Sequence, residues 1–314
     1  MTPRAKGVLI GLVGTTFWAT TGIIISYLLS HYNLQPLTLA FWRDLIVALG
    51  LILGLRLVQP QALRIARRDV LFFLAYGFVG LAAFNGLWTF SVKYNGAAVA
   101  TVLAYSSPAF IVLLARPILK EPFSTRKLIA VVLSLAGCVL VVKAYASETW
   151  QLNPIGVAVG LGTGLAFAVY SLAGKWSAGR FPSSWTVTAY GFLFAAGGLG
   201  LANLLARPPQ AFFSLGRAWD GWLILATLAL VPTTAGFGLY TLSLRYLPAG
   251  VAGLIASLEP VLTAIMAIFV LGEWLDGWQW LGAGLILAAV VLAQTEAEQR
   301  ISQPEPHVPA EAKG

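Results

Sequence analysis

Ten runs of apolar residues follow one another along this chain, near 7–29, 36–57, 70–91, 97–116, 126–143, 154–174, 185–206, 221–243, 249–271 and 277–294. Each is close to the roughly 20 residues that carry a helix across a bilayer. In hydrocarbon no water bonds the backbone, so a run of this kind must satisfy its N–H and C=O groups within a helix. Composition agrees. The 314 residues are 58% hydrophobic and only 10% charged, against about 25% charged in soluble domains. A soluble globular enzyme, a disordered protein and a disulfide scaffold are all excluded. The expected fold is an all-α membrane protein with ten transmembrane helices.

The first run follows Arg4 and Lys6, as a secretory signal would. It extends to about Leu29, however, and Ser30-His31-Tyr32-Asn33 offers no small-x-small cleavage site. It reads as a retained span. From 295 to 314 the chain turns polar, with prolines and glutamates and no apolar period, and a disordered cytoplasmic tail is expected there. The net charge of +8 does not call for nucleic acid, because basic residues accumulate in cytoplasmic loops. With the N-terminus inside, eleven Lys and Arg fall in inner loops and four in outer loops. Both termini are therefore expected on the cytoplasmic side of the cell (inner or plasma) membrane. Cys138 is the single cysteine, and the two histidines lie far apart at 31 and 307. No metal cluster, cofactor motif or catalytic constellation is present, so the chain does not read as an enzyme.

The chain also repeats itself. Slid by 152 residues, 85–141 lies over 237–293 without a gap. Leu87-Trp88-Thr89-Phe90-Ser91 falls on Leu239-Tyr240-Thr241-Leu242-Ser243, Pro108 on Pro260, and Glu121 on Glu273. Gly7, Gly11 and Ala19 sit over Gly156, Gly160 and Ala168 at a shift of 149. Each copy holds five spans. Five is odd, so the second copy enters the membrane the other way round, which makes an inverted repeat of the kind found in secondary transporters. The expected division is 1–143 for the first copy, 144–153 for a linker, 154–294 for the second copy and 295–314 for the tail.

Two five-span copies, each ending in a Pro-bearing span, a Leu-x-Glu and a Gly/Ala-rich last span, resemble the drug/metabolite transporter superfamily, and within it the EamA-type transporters. Leu258-Glu259-Pro260-Val261 through Leu271-Gly272-Glu273, followed by the Gly282–Leu292 run, is similar to that family's second-repeat signature. Ser107-Pro108 through Leu119-Lys120-Glu121 is its first-repeat counterpart. The resemblance implies a ten-helix bundle around a central cavity, and export of amino acids or related metabolites. It departs from an exact duplication at Ser107, which stands where the second copy has Glu259.

Charged residues inside spans are costly and need a reason. Glu259 lies about halfway along the ninth span, on a face with Ala252, Ala256 and Thr263. It reads as a site for a substrate amine or a coupling proton, with a structural hydrogen bond as the plain alternative. Pro108 and Pro260 read as hinges. Arg43 and Asp44 are adjacent, hence about 100° apart on a helix, and are expected not to pair. Both read as structural, with contact to a substrate carboxylate as the other role for Arg43. Thr15, Trp18, Asn85, Trp88, Tyr105, Ser107, Phe167, Tyr170 and Tyr240 share faces with Gly and Thr and are expected to line the cavity with Glu259. Ordinary helix packing is the competing reading for each taken singly. Glu121 and Glu273 read as caps or tethers at helix ends. The expected partners are a small-molecule substrate and the lipid bilayer, with a homodimer left open. The rival function is translocation of hydrophobic drugs or lipids.

Overall fold

Proline begins three of the long helices, at a position where the missing N–H has no helical partner to lose. The computed structural model describes residues 1–121, 124–146, 153–206, 208, 212–271 and 275–302. In it α1 (Pro3–His31) starts beside Thr2, whose hydroxyl accepts from the Ala5 N–H. Helix α2 spans Pro36–Val58. Helix α7 (Pro154–Ala178) is capped by Asn153, which accepts from the N–H groups of Ile155 and Gly156.

The third segment runs as α3 (Val70–Ala75), a π-helical stretch (Tyr76–Ala82) and α4 (Ala83–Ala104). Helix α5 (Ser107–Leu119) and α6 (Thr125–Val141) complete the first half. After α7 come α8 (Ser184–Ala206), α9 (Trp219–Leu228), a second π-helical stretch (Ala229–Thr233) and α10 (Thr234–Ser243). The half ends with α11 (Ala249–Ala256), α12 (Glu259–Leu271) and α13 (Gly277–Ser302). Among the described residues no strand occurs, and eight helical segments are long and apolar enough to cross a membrane. The chain is an integral membrane protein.

Two boundaries differ from the sequence expectation. Helical hydrogen bonding continues through Ala83–Ala104, across the break expected between 91 and 97. The chain nevertheless reverses there. A Cβ placed on Gly160 would lie 2.6 Å from Ser91 Oγ and 2.5 Å from Leu103 Cδ1, although residues twelve apart on a straight helix are separated by about 18 Å. The corresponding turn of the second half, Leu244 to Pro248, is non-helical because Pro248 cannot continue a helix, whereas the first half has Gly96 there. The last helix also runs past 294 to Ser302. Thr295 to Arg300 is rich in Glu, Ala and Gln, which favour helix, and no proline intervenes before Pro304. Residues 303–314, Glu273 and most of the expected linker lie outside the described residues.

The packing follows the same scheme in both halves. Helix α1 packs along α10 and α4 along α7, while α2 lies against α8 and α6 against α13. Each half carries a π-helical stretch at the equivalent place, and each breaks its Pro-bearing segment at two residues, Tyr105–Ser106 and Ser257–Leu258. Small residues permit the close approaches. Gly156 meets Tyr94 and Asn95, and Gly137 and Gly282 lie backbone to backbone, so that a Cβ on either would fall 2.6 Å from the other's carbonyl oxygen. Outside the spans, Asp276 and Gln279 cap each other reciprocally at the start of α13. The Gln279 N–H, with Lys143 at 3.2 Å, holds the Asp276 carboxyl below its usual range. That contribution is present above the ordinary carboxylate range and fades as pH falls through the depressed value.

The Gly137–Gly282 contact yields a direct test. Gly282→Leu should destabilise detergent-solubilised protein by about 1–3 kcal/mol through overpacking, seen as a lower melting temperature. Gly284→Leu, where an added Cβ meets nothing within 4 Å, should leave melting near wild type.

Candidate functional site

Small residues on α1 bring an aromatic side chain to the middle of the bundle. Gly11 and Gly14 let α1 press on α10 and α11, and one turn further on Trp18 is buried. Its indole meets Phe237 edge-on at 4.7 Å, Tyr240 at 5.2 Å and Phe167 at 5.9 Å between ring centroids. Phe167, Tyr170, Phe237 and Tyr240 pack on one another. Edge-to-face and offset contacts of this kind stabilise by about 0.5–1.5 kcal/mol beyond burial. The hydroxyls are satisfied internally: Tyr240 pairs with Ser171 at 2.7 Å and Tyr170 with Thr241 at 2.8 Å.

Of the residues selected from sequence, Trp18, Phe167, Tyr170 and Tyr240 thus share one cluster. Thr15 is adjacent but faces backbone, donating to the Gly11 carbonyl in its own helix and, at 3.5 Å, to that of Ile255. Trp88 is half-buried, and the side chain of Thr89 lies outside the described residues. Phe237 joins them from the span-eight face that also carries Tyr240 and Thr241. Ser171 and Tyr76, whose ring stacks on Tyr170 at 5.0 Å, were missed.

The face of α1 that carries Gly11, Thr15 and Trp18 continues to Gly22, where an added Cβ would meet nothing within 4 Å. Toward the N-terminal end of α1, polar side chains tie helix ends together. All eight residues of α11 are buried. The Lys175 ammonium donates to the carbonyls of Leu244 and Leu247, and Glu121 accepts from the Ala249 N–H and so caps α11. Asp69 and Arg180 pair at 3.2 Å across the halves.

A second cluster sits at the two helix breaks. Glu259 opens α12, directly after Ser257–Leu258, and Tyr105 lies in the matching break between α4 and α5. The Tyr105 hydroxyl donates to Glu259 Oε2 at 2.7 Å, across 154 residues of sequence. Ser107, two positions after Tyr105, is buried as the first residue of α5, and Pro108 and Pro260 each occupy the first turn after a break. Ser134 and Ser257 pair at 2.7 Å nearby.

Arg43 and Asp44 overturn the expectation that they would not pair. Arg43 donates from Nε and Nη2 to Asp44 Oδ1 at 3.0 and 2.9 Å. Nη2 also reaches Asn85 Oδ1 at 2.9 Å, and Asn85 Nδ2 donates to Asp44 Oδ2 at 3.1 Å. The arginine side chain is long enough to fold back over the 100° that separates neighbouring positions, and burial in lipid leaves either charge no cheaper partner. Asn85, expected in the cavity wall, is a member of this triad.

Comparison with known proteins follows from this geometry. The sequence profile of the EamA-like transporter family matches residues 5–143 and again 154–295. The chain belongs to that family. Curated relatives include an uncharacterized transporter of Archaeoglobus fulgidus, 31% identical over 69% of this chain and 76% of that protein. The uncharacterized transporter YwfM of Bacillus subtilis is 28% identical over 93% and 95%. The threonine/homoserine exporter RhtA of Escherichia coli is 29% identical over 77% of each. A crystal structure with 20% sequence identity superposes with a TM-score of 0.80 over 96% of this chain and all of that one, which shows a shared fold. The aromatic cluster, the broken helices and the polar ties between helix ends are therefore features of a transporter-family protein.

The Tyr105–Glu259 bond predicts an order of stabilities. Tyr105→Phe leaves the carboxyl without its donor and should cost about 1–3 kcal/mol. Glu259→Gln keeps an oxygen that accepts from the phenol and should cost less. Thermal unfolding of both variants in one detergent checks the order.

Proposed function

We propose that this protein is a secondary transporter that exports amino acids or related small metabolites by alternating access of two inverted five-helix repeats. The observation that carries the reading is the Tyr105–Glu259 pair. It puts a carboxyl group at two matched helix breaks, one from each half, in a chain of the EamA-like transporter family. A substrate ammonium or a coupling proton would compete with the Tyr105 hydroxyl for that carboxyl. The breaks before Pro108 and Pro260 lie where one half would rock against the other. Under this reading both termini are cytoplasmic, and the polar ties around α11 are contacts that alternating access would make and break. The name of the RhtA relatives favours amino acids among small metabolites.

One observation favours a second reading. A cleft of about 260 Å³ lies between α2, the α3–α4 segment and α8, lined by Leu37, Phe78, Gly86, Phe90, Gly198 and Ala206. Its apolar wall would suit a hydrophobic drug or a lipid chain entering from the bilayer.

Transport by purified protein in proteoliposomes decides between them. The panel comprises aliphatic, aromatic, basic and acidic amino acids with quaternary ammonium drugs, each with and without an imposed pH gradient. Saturable signal confined to amino acids is expected, with Glu259→Gln reducing it at least 10-fold and flattening its response to pH (order of magnitude for one charged contact). Signal with the drugs alone would overturn the export reading. Wild-type transport by Glu259→Gln at every pH would remove Glu259 from the mechanism.

A further inference from the structure

The two halves solve one packing problem in different ways. Leu230 meets Gly50 in one half-to-half contact and Phe78 meets Gly198 in its counterpart. These matched contacts set α2 over α8 at a shift of 148 and the third segment over the eighth at 152. On that alignment Asp44 corresponds to Phe192 and Asn85 to Phe237. Asp44 and Asn85 are hydrogen-bonded at 3.1 Å, while Phe192 and Phe237 stack edge-on at 5.0 Å. All four are buried. Arg43 corresponds to Gly191, where the Tyr76 ring fills the space a side chain would need.

The fold therefore closes this contact with two phenylalanines and a glycine in one half. It does not require charge there. Burying a guanidinium and a carboxylate in the other half is expensive, and apolar replacements of similar volume are often neutral or stabilising. The charge in the first half needs a reason other than packing. Its place indicates one. Asn85 follows Phe84, whose ring lies 5.4 Å from Phe167 in the aromatic cluster, and its counterpart Phe237 is itself a member of that cluster. Through Asn85 the triad is thus one residue along α4 from the ring that meets the aromatic cluster.

The donors indicate which charge it would take. Both Asp44 oxygens are occupied and its side chain is 0% exposed. Arg43 retains 9% side-chain exposure. Its bonds within the triad use Nε and Nη2, whereas a guanidinium offers five N–H groups, two of them on Nη1. An arriving anion can therefore add to Arg43 while Asp44 stays enclosed as its resident counter-charge.

We infer that the Arg43–Asp44–Asn85 triad is a binding site for the carboxylate of the transported molecule, with Arg43 as the group that touches it. This rests on the amino-acid reading and deepens it. The site answers to the carboxylate end of the substrate and does not depend on the group that meets its ammonium.

The test compares L-threonine and L-phenylalanine with their carboxamides, which keep the ammonium and side chain and lack the carboxylate. Uptake and mutual competition are measured in proteoliposomes for wild type, Arg43→Gln/Asp44→Asn and Arg43→Lys. The double variant removes both charges together, so that neither is left stranded. Arg43→Lys keeps the charge and loses the fork. Wild type should prefer an acid over its amide by roughly 10-fold or more, in line with a charge-assisted bond. The double variant should lose that preference, its acid-to-amide ratio falling toward 1, and Arg43→Lys should fall between. Melting temperature and monodispersity confirm that each variant is folded. If the double variant does not fold, the acid-to-amide ratio of Arg43→Lys decides alone. Equal handling of acids and amides by wild type, or an undiminished preference in a folded variant, overturns the site and leaves the transport reading standing. No uptake of any probe by wild type overturns both.

Discussion

In hydrocarbon a backbone amide has no partner except another part of the protein, and the rest of this structure depends on that constraint. Long helices satisfy it automatically. The two breaks satisfy it by local rearrangement: Tyr105 N–H reaches Thr101 O, Ser106 N–H reaches Leu103 O, Ser257 N–H reaches Gly253 O and Leu258 N–H reaches Ile255 O. Proline follows in each case and has no N–H to lose. The breaks are tolerated because protein surrounds them. This is why side chains with chemistry, Tyr105 and Glu259, stand where the chain is least regular.

Interior polarity is distributed unequally over two halves that pack alike. The second half fills its α8–α10 contact with aromatic rings, and the first fills the equivalent contact with a closed charge network. A duplicated scaffold supplies the same backbone positions twice, and divergence at a few of them leaves stability to one copy and polarity to the other. Glu259 and Ser107 show the same divergence at the breaks. Two inequivalent halves can still present one asymmetric ligand with different groups.

Polar side chains also act at the helix ends. Near the N-terminal end of α1, polar side chains tie helix termini together. Lys175 bonds the carbonyls that end α10, and Glu121 bonds the N–H that begins α11. Such ties act on groups that every helix terminus leaves unsatisfied.

Much of this could be read without coordinates. Apolar run lengths mark the spans, since lipid thickness dictates helix length. The shift of 152 identifies matched positions, and the aromatic residues on the Gly11–Thr15–Trp18 face, with Tyr240 from the other half, meet in the fold. Glu121 as a helix cap was also legible, because an acid next to an apolar run has few other uses. What escaped were relations between neighbours in space. Helical angles alone argued against an Arg43–Asp44 pair, yet a flexible guanidinium and the absence of water bring them together. The bond from Tyr105 to Glu259 spans 154 residues, and no local pattern encodes it. The sequence by itself determined that this chain is a membrane-embedded bundle of apolar helices with an internal repeat, because burial in lipid acts on each segment separately. Only the tertiary structure decided which polar groups meet inside it, because an intramembrane charge takes whatever partner the packing of distant helices brings within reach.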